Sequence, residues 1–489
     1  MKTLLRVTLV LFILFSLLII AVNLPFVQEK LVTYVTNFIM EKAGHRATLD
    51  GVKLNWFDTI ELNGLVVYDT KNYPMIVADK VDLDFHLLQM LKDQSISFDK
   101  GTIDRGRVSM PRNAPEDHFN LTFMIDKIRE GLAREGSRKT AKRFLIKEVE
   151  VLESDFFLDN TGRDSLSGRF DPNHFVLKTV NGNLSDFTID KGNVSFGTTN
   201  LNCYDSATQF AIRNLEVRYQ YSRQSMIFQN MKLTAEESVI ENSMIFEYDS
   251  PQSLREFVAE VKITANIKQS LIKLKDLGTF IPATRDYDQY FRIAGYYEGL
   301  VTRFNTKNIV LEFGANSRIE GYFNMYGLPN FFETFINANI TNANVNTTDL
   351  APYLEKEDLQ NISKFGKVRF DGRFSGFPND FVSDGVFNTA LGRLDTDINV
   401  KINAENRDAS VYSGSLTTHN LDLGQLFEDT ATYQMLAFKG KLSGTGFTRT
   451  SADVKVVADI EKIGYKGYEY KNIATNAHLT KDLFSGELK

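Results

Sequence analysis

The residue types that most often perform catalysis or bind metals are few in this sequence, and they are spread along it. The six histidines are His45, His86, His118, His174, His419 and His478. None of them stands in a His-Glu-x-x-His or His-x-His pattern of the kind that binds zinc. The one cysteine, Cys203, has no basic or histidine neighbour in sequence that would activate its thiol. We predict that Cys203 is a small buried residue.

Motifs for a catalytic serine or a bound phosphate are also missing. The segment Gly440-Lys441-Leu442-Ser443-Gly444 places its serine one position too late for a G-x-S-x-G nucleophile elbow. No GxxxxGK[ST] loop occurs. Acidic residues are numerous, but many of them alternate with apolar ones, which is typical of the solvated face of a strand. We therefore predict no enzyme activity, no catalytic residue, no bound metal and no cofactor.

The composition limits the remaining classes of protein. The chain has 489 residues, enough for about three ordinary domains. It contains 38 Phe and 19 Tyr but 10 Pro, and hydrophobic residues make up 43%, which excludes wholesale disorder. A net charge of −6 gives no basis for binding nucleic acid, and one cysteine cannot form an intramolecular disulfide.

An uncharged apolar run near the N-terminus predicts a membrane anchor. It extends from Val7 to Val27, which matches the length of about 20 residues that a helix needs to cross the hydrocarbon core. Its anchoring side chains would include Val7, Leu11, Leu14, Leu18 and Val22. Because Lys2 and Arg6 precede the run, the N-terminus should stay in the cytoplasm and the body should be exported.

A cleaved secretory signal is the alternative interpretation of this run. Such signals have an apolar region of about 7–15 residues, followed by a small-x-small cleavage site. Here the run is longer, and Ile19 and Ala21 make a poor cleavage pair, which favours the anchor. The following segment predicts an amphipathic helix, because Leu31, Val35 and Phe38 are three or four residues apart before Gly44.

From about residue 47 onward the apolar period changes to two, which predicts antiparallel strands with one solvated and one apolar face. The main interruption is the segment 118–143, a helix or loop with several basic residues. A solvated charged face is one explanation for these residues, and binding of anionic headgroups or of a partner is the other.

An internal repeat organises the second half of the chain. Asp-Leu pairs occur at equal intervals, at Asp276-Leu277, Asp349-Leu350 and Asp422-Leu423. The segment Ile263-Thr-Ala-Asn-Ile267 recurs at the same interval as Ile336-Asn-Ala-Asn-Ile340. A unit with this period of about 73 residues holds a handful of strands and one crossover, and stacked units form a solenoid.

Each repeat also contains a strand with the pattern apolar-x-Gly-x-apolar-x-Gly. The pattern occurs at 293–299, 370–376 and 438–444. Flanking charges exclude a transmembrane dimerisation motif, so we predict that these glycines curve the sheet or admit another backbone.

The apolar faces of the strands could be arranged in two ways, and the alternation of residue types does not distinguish between them. They could meet in a closed β-sandwich, or they could line an open groove in one bent sheet. The candidate lining residues are Val261, Ile263, Ala265, Ile267, Ile336, Ala338, Ile340, Phe370, Phe374, Ile398, Val400, Ile402, Val454 and Val456.

The order of these features resembles the AsmA-like superfamily, and most closely its TamB-type (translocation and assembly module) members. The resemblance is carried by the apolar run, the helix before Gly44, the segment ATLDGVKLNWFDTIELNGLVVYDTKNYPMIVADKVDLDF, and Ile463-Gly-Tyr-Lys-Gly-Tyr468 near the end. It is best over residues 1–90 and 230–489. The C-terminal domain typical of TamB-type proteins is absent, so we expect the N-terminal portion of a longer protein or a short relative.

The resemblance implies both a fold and a function. The expected fold is mostly β: a transmembrane helix, then an elongated, taco-like groove of bent antiparallel sheet with short helices. The expected location is the inner membrane of a Gram-negative envelope, spanned once, with the body in the periplasm. The implied function is to conduct phospholipid acyl chains between inner and outer membranes. The alternative is an assembly factor that works with an outer-membrane barrel partner in protein secretion or insertion.

The predicted organisation follows from these segments. Residues 1–27 form the cytoplasmic tip and anchor, and 28–117 form an N-terminal β region with the amphipathic helix. Residues 118–143 are the basic insertion. Residues 144–489 are β-groove units, with the repeat apparent from about residue 230.

Overall fold

A computed structural model describes residues 24–55, 58–84, 96–112, 120, 124, 127, 144–190, 193–447, 451–480 and 483–489. Strands make up most of these residues, and the prediction of a mostly β body is confirmed. Among the described residues, no helix is both long enough and apolar enough to cross a bilayer.

Helix α1 spans Pro25–Ala43 and covers the predicted amphipathic segment. Pro25 fits the first turn, where a missing amide hydrogen costs nothing. Gly44 ends the helix in the left-handed conformation, with φ 71°, and its N–H donates to the carbonyl of Met40 at 3.0 Å. Leu31, Val32 and Val35 of α1 pack on a small core. The core residues are Val52, Leu62, Ala78 and Val81.

Each of the two compact units into which the chain divides contains one run of successively paired strands, which we call a ladder. The first ladder consists of β1 (Ala47–Thr48), β2 (Gly51–Asn55), β3 (Thr59–Tyr68), β4 (Pro74–Asp84), β5 (Ile96–Arg112), β6 (Phe144–Asn160), β7 (His174–Asp190), β8 (Asn193–Asp205), β9 (Ala211–Tyr221), β10 (Ser225–Ala235) and β11 (Ser238–Glu247). The second ladder consists of β12 (Lys262–Lys273), β13 (Tyr290–Leu300), β14 (Arg303–Phe313), β15 (Ser317–Tyr326), β16 (Phe335–Asn346), β17 (Lys367–Phe377), β18 (Asp380–Thr389), β19 (Gly392–Lys401), β20 (Val411–Asp422), β21 (Tyr433–Thr445), β22 (Asp453–Tyr465), β23 (Tyr468–Thr480) and β24 (Leu483–Leu488).

Short helices occur between some strands. The α-helices are α2 (Phe257–Glu260), α3 (Leu274–Leu277), α4 (Lys356–Ser363) and α5 (Leu423–Phe427). The 3₁₀ helices are Pro251–Glu256, Pro282–Thr284, Phe331–Glu333, Thr347–Tyr353 and Arg407–Ala409. The chain divides into two compact units. One takes in the described residues up to Arg255 together with Lys275–Asp286, and the other takes in Glu256–Leu274 and Tyr287–Lys489.

Within each ladder, strands pair with their neighbours along the chain, and β1 and β2 both pair with β3. One pair corrects the prediction of a purely antiparallel sheet, because β5 and β6 are parallel, with Ile96 opposite Phe144. A parallel pair needs a long connection, and residues 113–143 separate these two strands in the sequence. In that segment Asn120, Met124 and Lys127 are helical, and Met124 packs on a second small core of Ala47, Val67 and Met75.

The second ladder shows how a repeat is built. Strands β12 and β16 begin one repeat apart, at Lys262 and Phe335, and strands β13, β14 and β15 lie between them. A bulge interrupts the long strand of each repeat, at equivalent positions after Ile267 in β12 and Ile340 in β16, and closer to the strand end in β20, after Thr418. Each repeat therefore consists of a long bulged strand followed by three strands joined by short connections.

The repeated aspartates tie neighbouring strand ends together. The carboxylate of Asp349 accepts hydrogen bonds from the N–H of Ala315 at 3.0 Å, the N–H of Asn316 at 3.1 Å and the hydroxyl of Ser317 at 2.7 Å. In the other unit Asp276 accepts in the same way from Ser238, at 2.6 Å. Each of these aspartates thus holds the tight turn of a preceding hairpin.

The third aspartate departs from this pattern. The carboxylate of Asp422 accepts from the N–H of Gln425 at 2.9 Å and so caps the N-terminus of α5. The Asp-Leu repeat in the sequence therefore serves two different local purposes.

We predict that Asp349→Asn destabilises the protein at neutral pH by about 1–3 kcal/mol, because an ionised acceptor is lost from three hydrogen bonds. Burial of Asp349 favours its neutral form, but the bonds from Ala315, Ser317 and Asn316 outweigh burial and hold its pKa below the ordinary 3.8. A lowered pKa in the folded state means that this stabilisation is complete above pH 3.8 and is lost as the pH falls below it. Urea unfolding at pH 7 and at pH 3 measures both effects.

Asp422→Asn is the matched control for this substitution, since asparagine caps a helix as well as aspartate does. We expect it to change stability little at either pH. A difference between the wild type and Asp349→Asn that is as large at pH 3 as at pH 7 would show that the carboxylate charge is not what stabilises the turn.

Candidate functional site

The strand residues predicted to line a groove lie on one face of the second ladder. The register connects them in rows across the strands. The first row contains Ile263, Gly299, Phe304, Met325, Ile336, Gly376, Phe381, Val400, Tyr412, Gly444, Val454 and Leu479. A parallel row contains Ala338, Phe374, Ser383, Ile398, Gly414, Leu442 and Val456. We call this surface the apolar face.

Most of the remaining predicted residues also lie in strands on the apolar face, and two of them stand at strand ends. Ala265 pairs with Tyr297, Ile267 with Gly295, Ile340 with Gly372 and Phe370 with Phe387. Val261 immediately precedes β12 and Ile402 immediately follows β19, so these two residues stand at strand ends.

Burial on the apolar face is incomplete. Val261, Ala265 and Ala338 are buried, at 0%, 7% and 2% exposure. The others are half-buried: Ile263, Ile267, Ile336, Ile340, Phe370, Phe374, Ile398, Val400, Ile402, Val454 and Val456. In the described part of the ladder, the extensive contacts between strands all join ladder neighbours. The arrangement is therefore an open single layer and not a packed β-sandwich, in which facing sheets bury such side chains.

One aromatic ring on this face lies against two glycines. The ring of Phe370 approaches both Gly372 and Gly385, where added Cβ atoms would lie 2.8 and 2.7 Å from it. Phe370 also stacks on Phe387 at 4.3 Å, and Phe374 stacks on Phe381 at 4.7 Å. The predicted role of these glycines as close-approach points is visible in the backbone, since a Cβ on Gly376 would lie 2.5 Å from the Cα of Phe381.

The first ladder has an apolar feature that the sequence analysis missed. One ring from each of seven successive strands forms a row with centroid separations of 5.1 to 6.3 Å. Its members are Phe98, Phe144, Phe187, Phe196, Tyr219, Phe228 and Phe246. All seven are half-buried, and burial raises the pKa of Tyr219 to about 12. The excess of phenylalanine could have suggested the row, but its alignment depends on strand register.

The opposite face of the second ladder carries the charges. Lys262 pairs with Glu298 at 3.0 Å, and Arg373 pairs with Asp384 at 2.5 Å. An open hollow on this side is lined by Asp397, Asn399, Lys441 and Lys455 among others. Its lining mixes charged and apolar residues and reaches Gly414 and Leu442 of the second row, but it includes none of the predicted groove residues, so we do not assign it to the apolar face.

The groups that could do chemistry are separated from one another. Among the described residues, no group of three or more His, Cys, Asp and Glu could hold a metal ion. Cys203 is buried, and burial, followed by the charge of Asp205, raises its pKa to about 11. Burial lowers the pKa of His174, but the hydrogen bonds with Asp171, at 2.9 Å, and with the carbonyl of Asn160 act together with the charges of Asp171 and Asp159 to raise it. His86 and His118 lie outside the described residues.

The predicted anchor residues are not part of the described structure. Val7, Leu11, Leu14, Leu18 and Val22 all precede residue 24, where the described chain begins. Most of the basic insertion, including 128–143, also lies outside it.

Comparison with known proteins found no similar protein. No protein-family model matches the chain, and neither a curated protein nor a solved structure matches it.

We predict that Gly376→Ala loosens the sheet where β17 meets β18. The added Cβ would lie 2.4 Å from the carbonyl oxygen of Asp380, and φ at Gly376 is 143°, a conformation that costs a non-glycine residue about 1–3 kcal/mol. Hydrogen exchange of the β17 and β18 amides should accelerate.

Gly51→Ala is the control, because a Cβ there meets nothing within 4 Å. Unchanged protection of β17 and β18 in Gly376→Ala would contradict the close approach of the two strands.

Proposed function

We propose that this protein carries phospholipid acyl chains along its apolar β face, between the inner and outer membranes of a Gram-negative envelope. One observation carries the proposal: the register aligns apolar residues and glycines, with no charged residue among them, in one row across β12–β23, and most of the side chains in this row are half-buried. A surface of this kind offers hydrocarbon contacts without interruption by charge. Enzymes need convergent polar groups, which this face does not present among its described residues.

The energetics suit transport better than tight binding. Removing one CH₂ group from water is worth about 0.8 kcal/mol, on a protein surface as in a bilayer. An acyl chain could therefore pass from a membrane to this face with little net change in free energy. Because the opposite face carries the ion pairs, a lipid headgroup at the ladder edge would remain in water beside charged side chains.

The finer features of the proposal come from the sequence. They are a bent, taco-like groove, a single inner-membrane anchor over 1–27 and a periplasmic body, as the resemblance to AsmA-like and TamB-type proteins implies. The open single layer of the second ladder supports the groove, since a closed sandwich would leave no surface for a lipid.

We expect Ile336→Asp to block lipid loading. Ile336 lies in the first row, between Met325 and Gly376, and a carboxylate there would need to be desolvated under an acyl chain. The measurement is photo-crosslinking of the full chain to vesicles that contain a photoactivatable phospholipid. We expect labelling to fall at least about tenfold, since burying a charge costs more than the roughly 1.4 kcal/mol that corresponds to that factor.

Asn337→Asp is the matched control, because Asn337 is the next residue of the same strand and is exposed on the opposite face. Both variants add one negative charge to β16. Equal labelling of Ile336→Asp and wild type, with folding verified by circular dichroism, would refute transport along the apolar face.

A crosslinker on the face separates this function from that of an assembly factor for an outer-membrane barrel partner. We expect benzoylphenylalanine in place of Phe374 to give mainly phospholipid adducts in cells, because Phe374 lies in the second row. The same group in place of Arg373, on the charged face, should give few. Protein adducts from position 374, without lipid, would favour the assembly factor.

A further inference from the structure

Five aromatic side chains gather at one edge of the second ladder. They are Tyr326 at the end of β15, Phe331 and Phe332 in the following loop, Phe335 at the start of β16, and Phe377 at the end of β17. Phe332 is 71% exposed and Phe331 is 51% exposed. Tyr326 and Phe377 are 43% and 39% exposed. We call these five residues the aromatic rim.

The rim breaks the alternation that governs the strands on either side of it. Tyr326 pairs with Phe335, and the rings of Phe335 and Phe377 lie 5.5 Å apart, edge to face. By register these three belong to the charged side of the sheet, because Met325 and Ile336, one residue away, belong to the apolar face. At this edge, apolar surface therefore continues from the apolar face around the strand ends.

The loop that carries Phe331 and Phe332 is held by hydrogen bonds. The N–H of Gly327 donates to the carbonyl of Thr302 at 2.9 Å. The hydroxyl of the fully buried Thr334 donates to the carbonyl of Asn330 at 2.7 Å. The two rings meet edge to face at 5.7 Å and project outward. Their exposure is therefore imposed by the fold of the loop.

Charged groups of both signs flank the rim, since Glu333 follows Phe332 in the loop and is exposed. Arg303 is exposed and stands across from Tyr326. Lys401 is 69% exposed and pairs with Asp380 at 3.2 Å, and Asp380 stands across from Phe377. Exposed aromatic rings beside charged groups are typical of surfaces that meet the boundary between lipid headgroups and acyl chains.

We propose that the aromatic rim is the place where acyl chains pass from a lipid surface onto the apolar face. This inference rests on the proposed function. The rim would cover the acyl chain as it leaves the lipid surface, when hydrocarbon would otherwise be exposed to water. It governs the rate of loading from a membrane and not the capacity of the face, whose residues begin inward of the rim at Met325 and Ile336.

The test compares two exposed aromatic pairs by time-resolved photo-crosslinking of the full chain. The vesicles contain phosphatidylethanolamine, phosphatidylglycerol and a trace of photoactivatable phosphatidylethanolamine. The variant is Phe331→Ser with Phe332→Ser. The control is Tyr73→Ser with Tyr322→Ser, which removes two rings that are 44% and 40% exposed, one in the turn before β4 and one on the charged face of the second ladder. All four side chains are exposed, so we expect both proteins to fold.

We expect the rim variant to load from vesicles about tenfold more slowly, since the loss of one ring contact accounts for a factor of about ten. We expect the control to stay within about twofold of wild type. A short-chain photoactivatable lipid supplied as monomers should label both variants to the wild-type extent. If the wild type loads and the rim variant loads at the same rate, the rim is not the point of transfer. That result would suggest that the rim binds a protein instead. Absence of loading in wild type overturns the proposed function itself.

Discussion

Backbone pairing is the constraint on which the rest of this structure depends. In an antiparallel ladder each residue faces away from its neighbours in sequence, so a slip of one residue would turn every apolar side chain toward the charged side. The register holds Ile263, Ile336 and Val400 in one row across many strands. Each repeat has a bulge in its long strand. The bulge adds one residue to that strand, and beyond it the paired side chains point to the same face of the sheet as before.

A single layer must be stable without the core that a sandwich would provide. Here rings pack sideways on their ladder neighbours, in the row from Phe98 to Phe246 and in the stacks of Phe370 on Phe387 and Phe374 on Phe381. Glycine lets the ring of Phe370 lie against the sheet, because a Cβ on Gly372 or Gly385 would occupy its place. All seven rings of the row and the rings of Phe370 and Phe374 stay half-buried in this packing, as the proposed carriage of lipid requires.

Helices cover the apolar side locally. Helix α1 packs on Val52 and Leu62 in the first ladder. In the second ladder, Leu423 of α5 joins Leu391 and Leu421 in a small core. Between such places the strands of each ladder keep their apolar side chains half-buried. Stability is thus concentrated at particular positions, and the surface available to a ligand lies between them.

The sequence alone determined the β class, the composition of each face and the repeat, because alternation and turn residues act over a few neighbouring positions. In segments such as 263–267 and 336–340, the alternation of apolar and polar residues by itself indicates which side chains share a face. Tertiary structure alone decided the parallel pairing of β5 with β6, the open single layer, the aromatic row and the tie from Asp349 to the turn at Ser317. These features bring together residues that are far apart in sequence, and which strand becomes a neighbour depends on pairing over the whole ladder. The rim residues Tyr326, Phe335 and Phe377 show the same limit, since each is an ordinary strand aromatic until the register places the three side by side on the charged face.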